Sequence, residues 1–236
     1  SEMCIRDRVC SQLFYRNKRS LLFDVSYYHN RINLETYHVL ADGTGAMLFL
    51  QYLICCYLSE IHPDNICCEL ADELFPGPVS SRAEDSFKKY FNKEKNKKAK
   101  KANHVYHLSG RHSEGLIITE GIMSCNKVIT LAKSYGTTVT VFLSALLIMS
   151  IHRETALYNE KKPIVLTVPV NLRNYFESST GRNFFGNIRV AYRFGSGKDE
   201  LADIISSLKA SFKRELTKDN LKGIINGFMA VERNPF

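Results

Sequence analysis

The chain shows no unbroken apolar run of the length expected of a bilayer span, and no signal peptide is visible at its start. Its longest apolar stretch, Ala46–Leu58, is broken only by Gln51 and has 13 residues; a membrane-spanning helix needs about 20. There is no internal repeat and no CxxC pair. The seven cysteines are Cys4, Cys10, Cys55, Cys56, Cys67, Cys68 and Cys125. An odd number with two adjacent pairs is a poor disulfide framework, and the spacing is wrong for zinc. Cys55 and Cys56 lie within an apolar helical run, where a thiol acts as a small hydrophobe. These absences lead us to expect a reducing, cytoplasmic setting, no bound metal and no membrane span.

What is present is an ordinary globular composition, 44% hydrophobic and 24% charged over 236 residues. That is enough apolar surface for a core and enough length for one large domain or two smaller ones. The net charge of +8 suggests nucleic acid until its distribution is read. Residues 88–101, KKYFNKEKNKKAKK, hold eight Lys and one Glu and so carry +7 of it. A lysine block of this kind reads as a solvated face or a linker, and it offers no stacking platform of the type single-strand binders use. No nucleic-acid partner is expected. Residues 1–8, SEMCIRDR, resemble a translated sequencing adapter and are set aside from the fold. The C-terminal FMAVERNPF shows no clear stop to its helix, so the expectation is a reading frame truncated at both ends.

Alternation of apolar and polar residues predicts strands over Leu21–Tyr28 and Ile32–His38, with a turn at His29-Asn30-Arg31. His38 then falls at a strand end. A loop, Ala41-Asp42-Gly43-Thr44-Gly45, leads into a helix over Ala46–Glu60, with Asp42 or Thr44 as its cap. The helix is apolar nearly all round and is expected to be buried. Residues 62–82 read as loop and Glu84–Tyr90 as a short helix. A strand is expected over Leu116–Met123 and helices over Cys125–Ser134 and Val139–Glu154. Strands follow over Ile164–Val170 and Gly186–Phe194, then helices over Lys198–Leu216 and Asp219–Val231.

The chemistry is concentrated in HVLADG, His38 to Gly43. A neutral imidazole at pH 7 can take a proton from an alcohol, amine or thiol as it attacks a carbonyl. Metal binding is disfavoured, because His and Asp four apart share a face only on a helix and no third ligand suggests itself. The plain alternative is a polar strand end followed by a helix that Asp42 caps.

HVLADG resembles the HxxxDG motif of the chloramphenicol-acetyltransferase-like acyltransferases, the superfamily of condensation domains, wax ester synthases and plant acyl-CoA-dependent transferases. TVPVNLRNYF (167–176) resembles the vPVxxR strand of the wax ester synthase branch, and NFFGNIRV (183–190) the fGN strand after it. The three occur in family order, the first two about 130 residues apart, and the chain looks most like the alcohol-acetyltransferase-like group. The resemblance implies an α/β fold of two subdomains, each a mixed sheet backed by helices, incomplete at both ends. The subdomains would span 9–85 and 114–236, joined by a Lys-rich linker at 86–113, with the site at their interface.

The roles it implies are specific. His38 matches the general base, Asp42 a structural carboxylate and Arg173 the arginine paired with it. Gly43 matches the motif glycine where backbone passes close to the substrate tunnel, and Gly186 and Asn187 the pair lining that tunnel. The implied reaction is acyl transfer from acyl-CoA, a co-substrate and not a bound cofactor, to a small hydroxyl or amine acceptor. Two alternatives stand beside it: a condensation-type enzyme fed by a carrier protein, and a non-catalytic binding member of the fold. Tyr37 occupies the position where condensation domains and wax ester synthases often carry a second histidine, which favours the plain acyltransferases. The family's late Gly-containing loop motif is absent from the chain.

Overall fold

The computed structural model describes residues 21–63, 79–92, 104–108, 110, 119, 121–154, 162–195 and 198–233. Among them the elements are mixed α/β: two small two-stranded antiparallel sheets and seven α-helices. They fall into two compact units, one of residues 1–92 with 171–186 and the other of 93–170 with 187–236. The return of 171–186 to the first unit is not visible in a linear reading of the chain.

The first unit opens with β1 (Phe23–Tyr28) and β2 (Arg31–Thr36), paired antiparallel in the register Phe23↔Thr36 to Tyr28↔Arg31. The connection is tighter than the sequence suggested: His29 and Asn30 alone make the turn, with His29 at a positive φ of 49°. Helix α1 (Gly43–Ile61) follows, then two short helices, α2 (Val79–Arg82) and α3 (Ser86–Tyr90). The expected burial of α1 fails among the described residues. Gly45 is its one buried residue, and Met47 and Tyr57 are each 55% exposed. The hairpin covers it from one side, where the edge of Phe23 meets Phe49 at 5.2 Å between ring centroids. Apolar composition sets how much surface a helix offers for burial; the neighbours decide how much is taken. By length and composition α1 could cross a membrane, a property it shares with core helices of soluble proteins.

The second unit carries α4 (Cys125–Ser134), α5 (Val139–Arg153), β3 (Ile164–Asn171), β4 (Phe185–Tyr192), α6 (Leu201–Glu215) and α7 (Lys218–Arg233). The first residues of β4 and the last of β3 belong to the first unit. A Schellman motif ends α4: Gly136 takes φ +63° and donates to Lys133 O, and Thr137 N–H donates to Ala132 O. Thr138 then caps α5 through Val141 N–H. Along β4 the side chains alternate, with Ile188, Val190 and Tyr192 buried. Phe142, Ala145 and Ile148 of α5, Ile204, Leu208 and Phe212 of α6, and Leu221, Ile225 and Met229 of α7 are also buried. Of the strand expected over 116–123, residues 116–118 and 120 lie outside the described residues, and 121–124 form no regular element. Most of the 62–82 loop, the Lys block beyond Asn92 and residues 1–8 also lie outside them.

Candidate functional site

His38 is not on a strand. β2 ends at Thr36, and residues 37–40 form a turn closed by Leu40 N–H donating to Tyr37 O at 2.9 Å. This corrects the expected strand-end mount. Tyr37 still follows the β1–β2 register, its N–H donating to Leu22 O, and the turn that begins there ends the alternation. His38 and Val39 are the central residues of the turn. The His38 side chain is exposed, and its ring lies 5.4 Å from that of Phe185, tilted by 49°.

Four residues on, Asp42 does two jobs at once. It is the N-cap of α1, with Oδ1 accepting from Gly45 N–H at 2.9 Å. Its Oδ2 accepts from Arg173 Nη1 at 2.8 Å and from Phe184 N–H at 2.8 Å. Both carboxylate oxygens are thus engaged by main chain and guanidinium. The pair is buried: the side chains of Arg173 and Asp42 are 10% and 7% exposed. The cap and the ion pair, posed by the sequence as competing roles, coexist because a carboxylate has two oxygens and accepts on each. Burial by itself pushes the Asp42 carboxyl up. The Arg173 hydrogen bond, the Phe184 and Gly45 N–H groups and the Arg173 charge outweigh it, and hold the carboxyl below its ordinary value of 3.8.

Arg173 is a clamp with several jaws. It lies in a short 3₁₀ turn, Leu172–Asn174, capped by Asn171 Oδ1. Besides Asp42, it donates from Nε to Thr180 O at 3.0 Å, from Nη2 to Arg182 O at 2.5 Å, and from Nη1 to Asn171 Oδ1 at 3.2 Å. The planar fork therefore fixes the 180–184 loop against the start of α1. Thr180, 1% exposed, ties that loop to the α2–α3 connection, its Oγ1 donating to Glu84 O at 2.7 Å or Arg82 O at 3.2 Å. Beneath it Phe184 is fully buried among the rings of Phe87, Tyr90 and Phe176.

The close approach of backbone falls at Gly45, two residues beyond the motif glycine. A Cβ at Gly45 would overlap the carbonyl oxygen of Gly181, whereas one at Gly43 would meet no atom within 4 Å. No protein contact among the described residues requires glycine at 43. On β4 Gly186 is buried and Asn187 exposed, as alternation demands. The sequence reading missed Asn183, Thr180 and Gly181. Thr180 and Gly181 had no signal beyond their position between two recognisable strands, and Asn183 opens the NFFGNIRV stretch without a role assigned to it. A separate groove of about 550 Å³ between the β1–β2 hairpin and α1 is lined by Val25, Tyr27, Ile32, Leu53, Ile54 and Tyr57 among others, and by none of the site residues. Among the described residues no group of three or more His, Cys, Asp or Glu side chains is placed to hold a metal ion.

No family model and no curated protein matches the chain. Among solved structures it is similar to polyketide synthase associated protein 5 from Mycobacterium tuberculosis. The two share 15% identity and superpose with a TM-score of 0.53, over 89% of this chain and 56% of that one. At this identity the likeness concerns the fold. The chain spans a little over half the length of that structure's chain.

Proposed function

We propose that the protein transfers an acyl group from acyl-CoA to a hydroxyl or amine acceptor, on a two-subdomain fold of the CoA-dependent acyltransferase type, with His38 as general base. The observation that carries this reading is the buried Asp42–Arg173 pair, formed across 131 positions of sequence. The pairing of Asp42 with Arg173 is the one the HxxxDG resemblance leads us to expect, and it supports the reading. Asp42 is held by groups other than the imidazole, and His38 is left exposed beside it.

In the reaction the acceptor oxygen or nitrogen attacks the thioester carbonyl while His38 takes its proton. The new C–O or C–N bond forms, the C–S bond breaks, and the imidazolium returns the proton to the departing thiolate. No acyl-enzyme is required. Asp42 and Arg173 act on the main chain that carries His38 and do not touch the reacting atoms. The setting is cytoplasmic, the donor a soluble thioester.

The test is release of free thiol from acetyl-CoA and longer acyl-CoAs in the presence of a panel of alcohols and amines. Acceptor-dependent thiol release supports the reading. Release only from an acylated carrier protein would move the protein to the condensation type. Donor binding without turnover on either donor would leave a binding member of the fold.

A further inference from the structure

Two residues cover the His38 turn from the 183–185 segment. Phe185 packs its ring near the imidazole, and Asn183 holds the main chain. Asn183 Nδ2 donates to His38 O at 2.8 Å, with Val39 O at 3.5 Å. Both central carbonyls of the turn thus face one amide. Because carbonyls only accept, this environment also fixes which end of the amide is nitrogen.

Asn183 is itself anchored on both sides. Before it, Arg182 O accepts from Arg173 and Arg182 N–H donates to Thr180 Oγ1. After it, Phe184 N–H donates to Asp42 and the Phe184 ring is fully buried. The amide is therefore carried on a rigid mount shared with the Asp42–Arg173 pair, and it reaches across 145 positions of sequence to one main-chain oxygen. Its other end is unusual. Asn183 Oδ1 is buried with no hydrogen-bond partner. Buried polar atoms are nearly always paired. A residue kept for packing alone would be better served by a side chain without that orphan acceptor.

We propose that Asn183 is the positioning residue for His38: its amide pins the 38–39 main chain so that the imidazole is presented in one orientation to the acceptor. This rests on the acyl-transfer reading above. A misplaced catalytic group costs rate more than substrate affinity, since a shift of about 1 Å can lower turnover about 100-fold.

The experiment compares wild type, Asn183→Ala and Asn183→Asp. Asp keeps the size and shape and loses the donor. The expected result is a fall in kcat of about 10- to 100-fold in both variants with KM for acyl-CoA changed less than about twofold. In parallel, protein labelled at histidine Cε1 is examined by NMR, with the His38 signal assigned by its loss in His38→Gln. That signal should shift or broaden in both variants, while those of His29, His62 and His152 stay in place as the control for folding. If Asn183→Ala does not fold, Asn183→Asp carries the same expectations. An unchanged kcat, or an unmoved His38 signal, overturns the proposal. If the wild type releases no thiol with any donor, the acyl-transfer reading falls. The NMR comparison then still decides the positioning claim, upheld by a moved His38 signal and overturned by an unmoved one.

Discussion

At the scale of single residues the account turns on Asp42 and Arg173. Removing one partner of a buried pair strands a charge, at a cost of about 3–5 kcal/mol. Asp42→Ala and Arg173→Ala should each lower stability by about that much in urea unfolding, and the double mutant by less than their sum. Arg173→Ala should be the worse single, because it also releases Thr180 O and Arg182 O. Strict additivity would mean the pair is not coupled. The pH dependence has a fixed sign. The Asp42 carboxyl is held below its ordinary 3.8 in the folded chain, so the unfolded chain takes up this proton at higher pH than the native one. The stability it contributes is complete above the ordinary value and is lost as pH falls through the folded value. Unfolding midpoints measured from about pH 6 to about pH 2 should therefore fall more steeply in wild type than in Asp42→Asn. Equal slopes would mean the carboxyl is not linked to folding. This pair was legible in the sequence because two resembling stretches, HVLADG and TVPVNLRNYF, supplied one member each. Asn183 was not, because a hydrogen bond to a main-chain carbonyl leaves no residue pattern at the accepting end.

At the scale of elements, the start of α1 decides between its two glycines. Gly45→Ala should displace the 180–184 loop and destabilise the first unit, since the added methyl meets Gly181 O, which is backbone and cannot swing aside. Gly43→Ala should fold as well as wild type or better by a few tenths of a kcal/mol, because alanine in the first turn loses less backbone entropy than glycine. Thermal unfolding of the two variants checks this; equal effects would contradict the placement of the close contact. Element types read well from the sequence wherever periodicity was long and capped. Thr138 and Gly136 bracket the α4–α5 junction as their residue types suggest. Readings of β2 and α1 failed for physical reasons. β2 stops short of His38 because residues 37–40 turn, closed by Leu40 N–H donating to Tyr37 O, and an alternating pattern does not record where a turn begins. The apolarity of α1 was legible, and its exposure was not, since a helix sequence does not name its neighbours.

At the scale of the whole molecule, two compact units share one chain that leaves the second, makes the 171–186 excursion and goes back. That excursion supplies Arg173, Thr180, Asn183 and Phe184, so the first unit cannot complete the surroundings of His38 from its own contiguous sequence. The resemblance gave the order of motifs along the chain. It did not give this division, because clustering in space depends on long-range hydrogen bonds such as Gly181 N–H to Arg82 O at 2.9 Å. The central claim is that His38 does the chemistry while Asp42 and Arg173 hold it in place. It is tested most directly by thiol release in His38→Ala, measured beside its unfolding midpoint. The expected result is a fall in turnover of about 10²- to 10⁴-fold with the midpoint unchanged, as befits an exposed side chain. Full turnover in His38→Ala would contradict it.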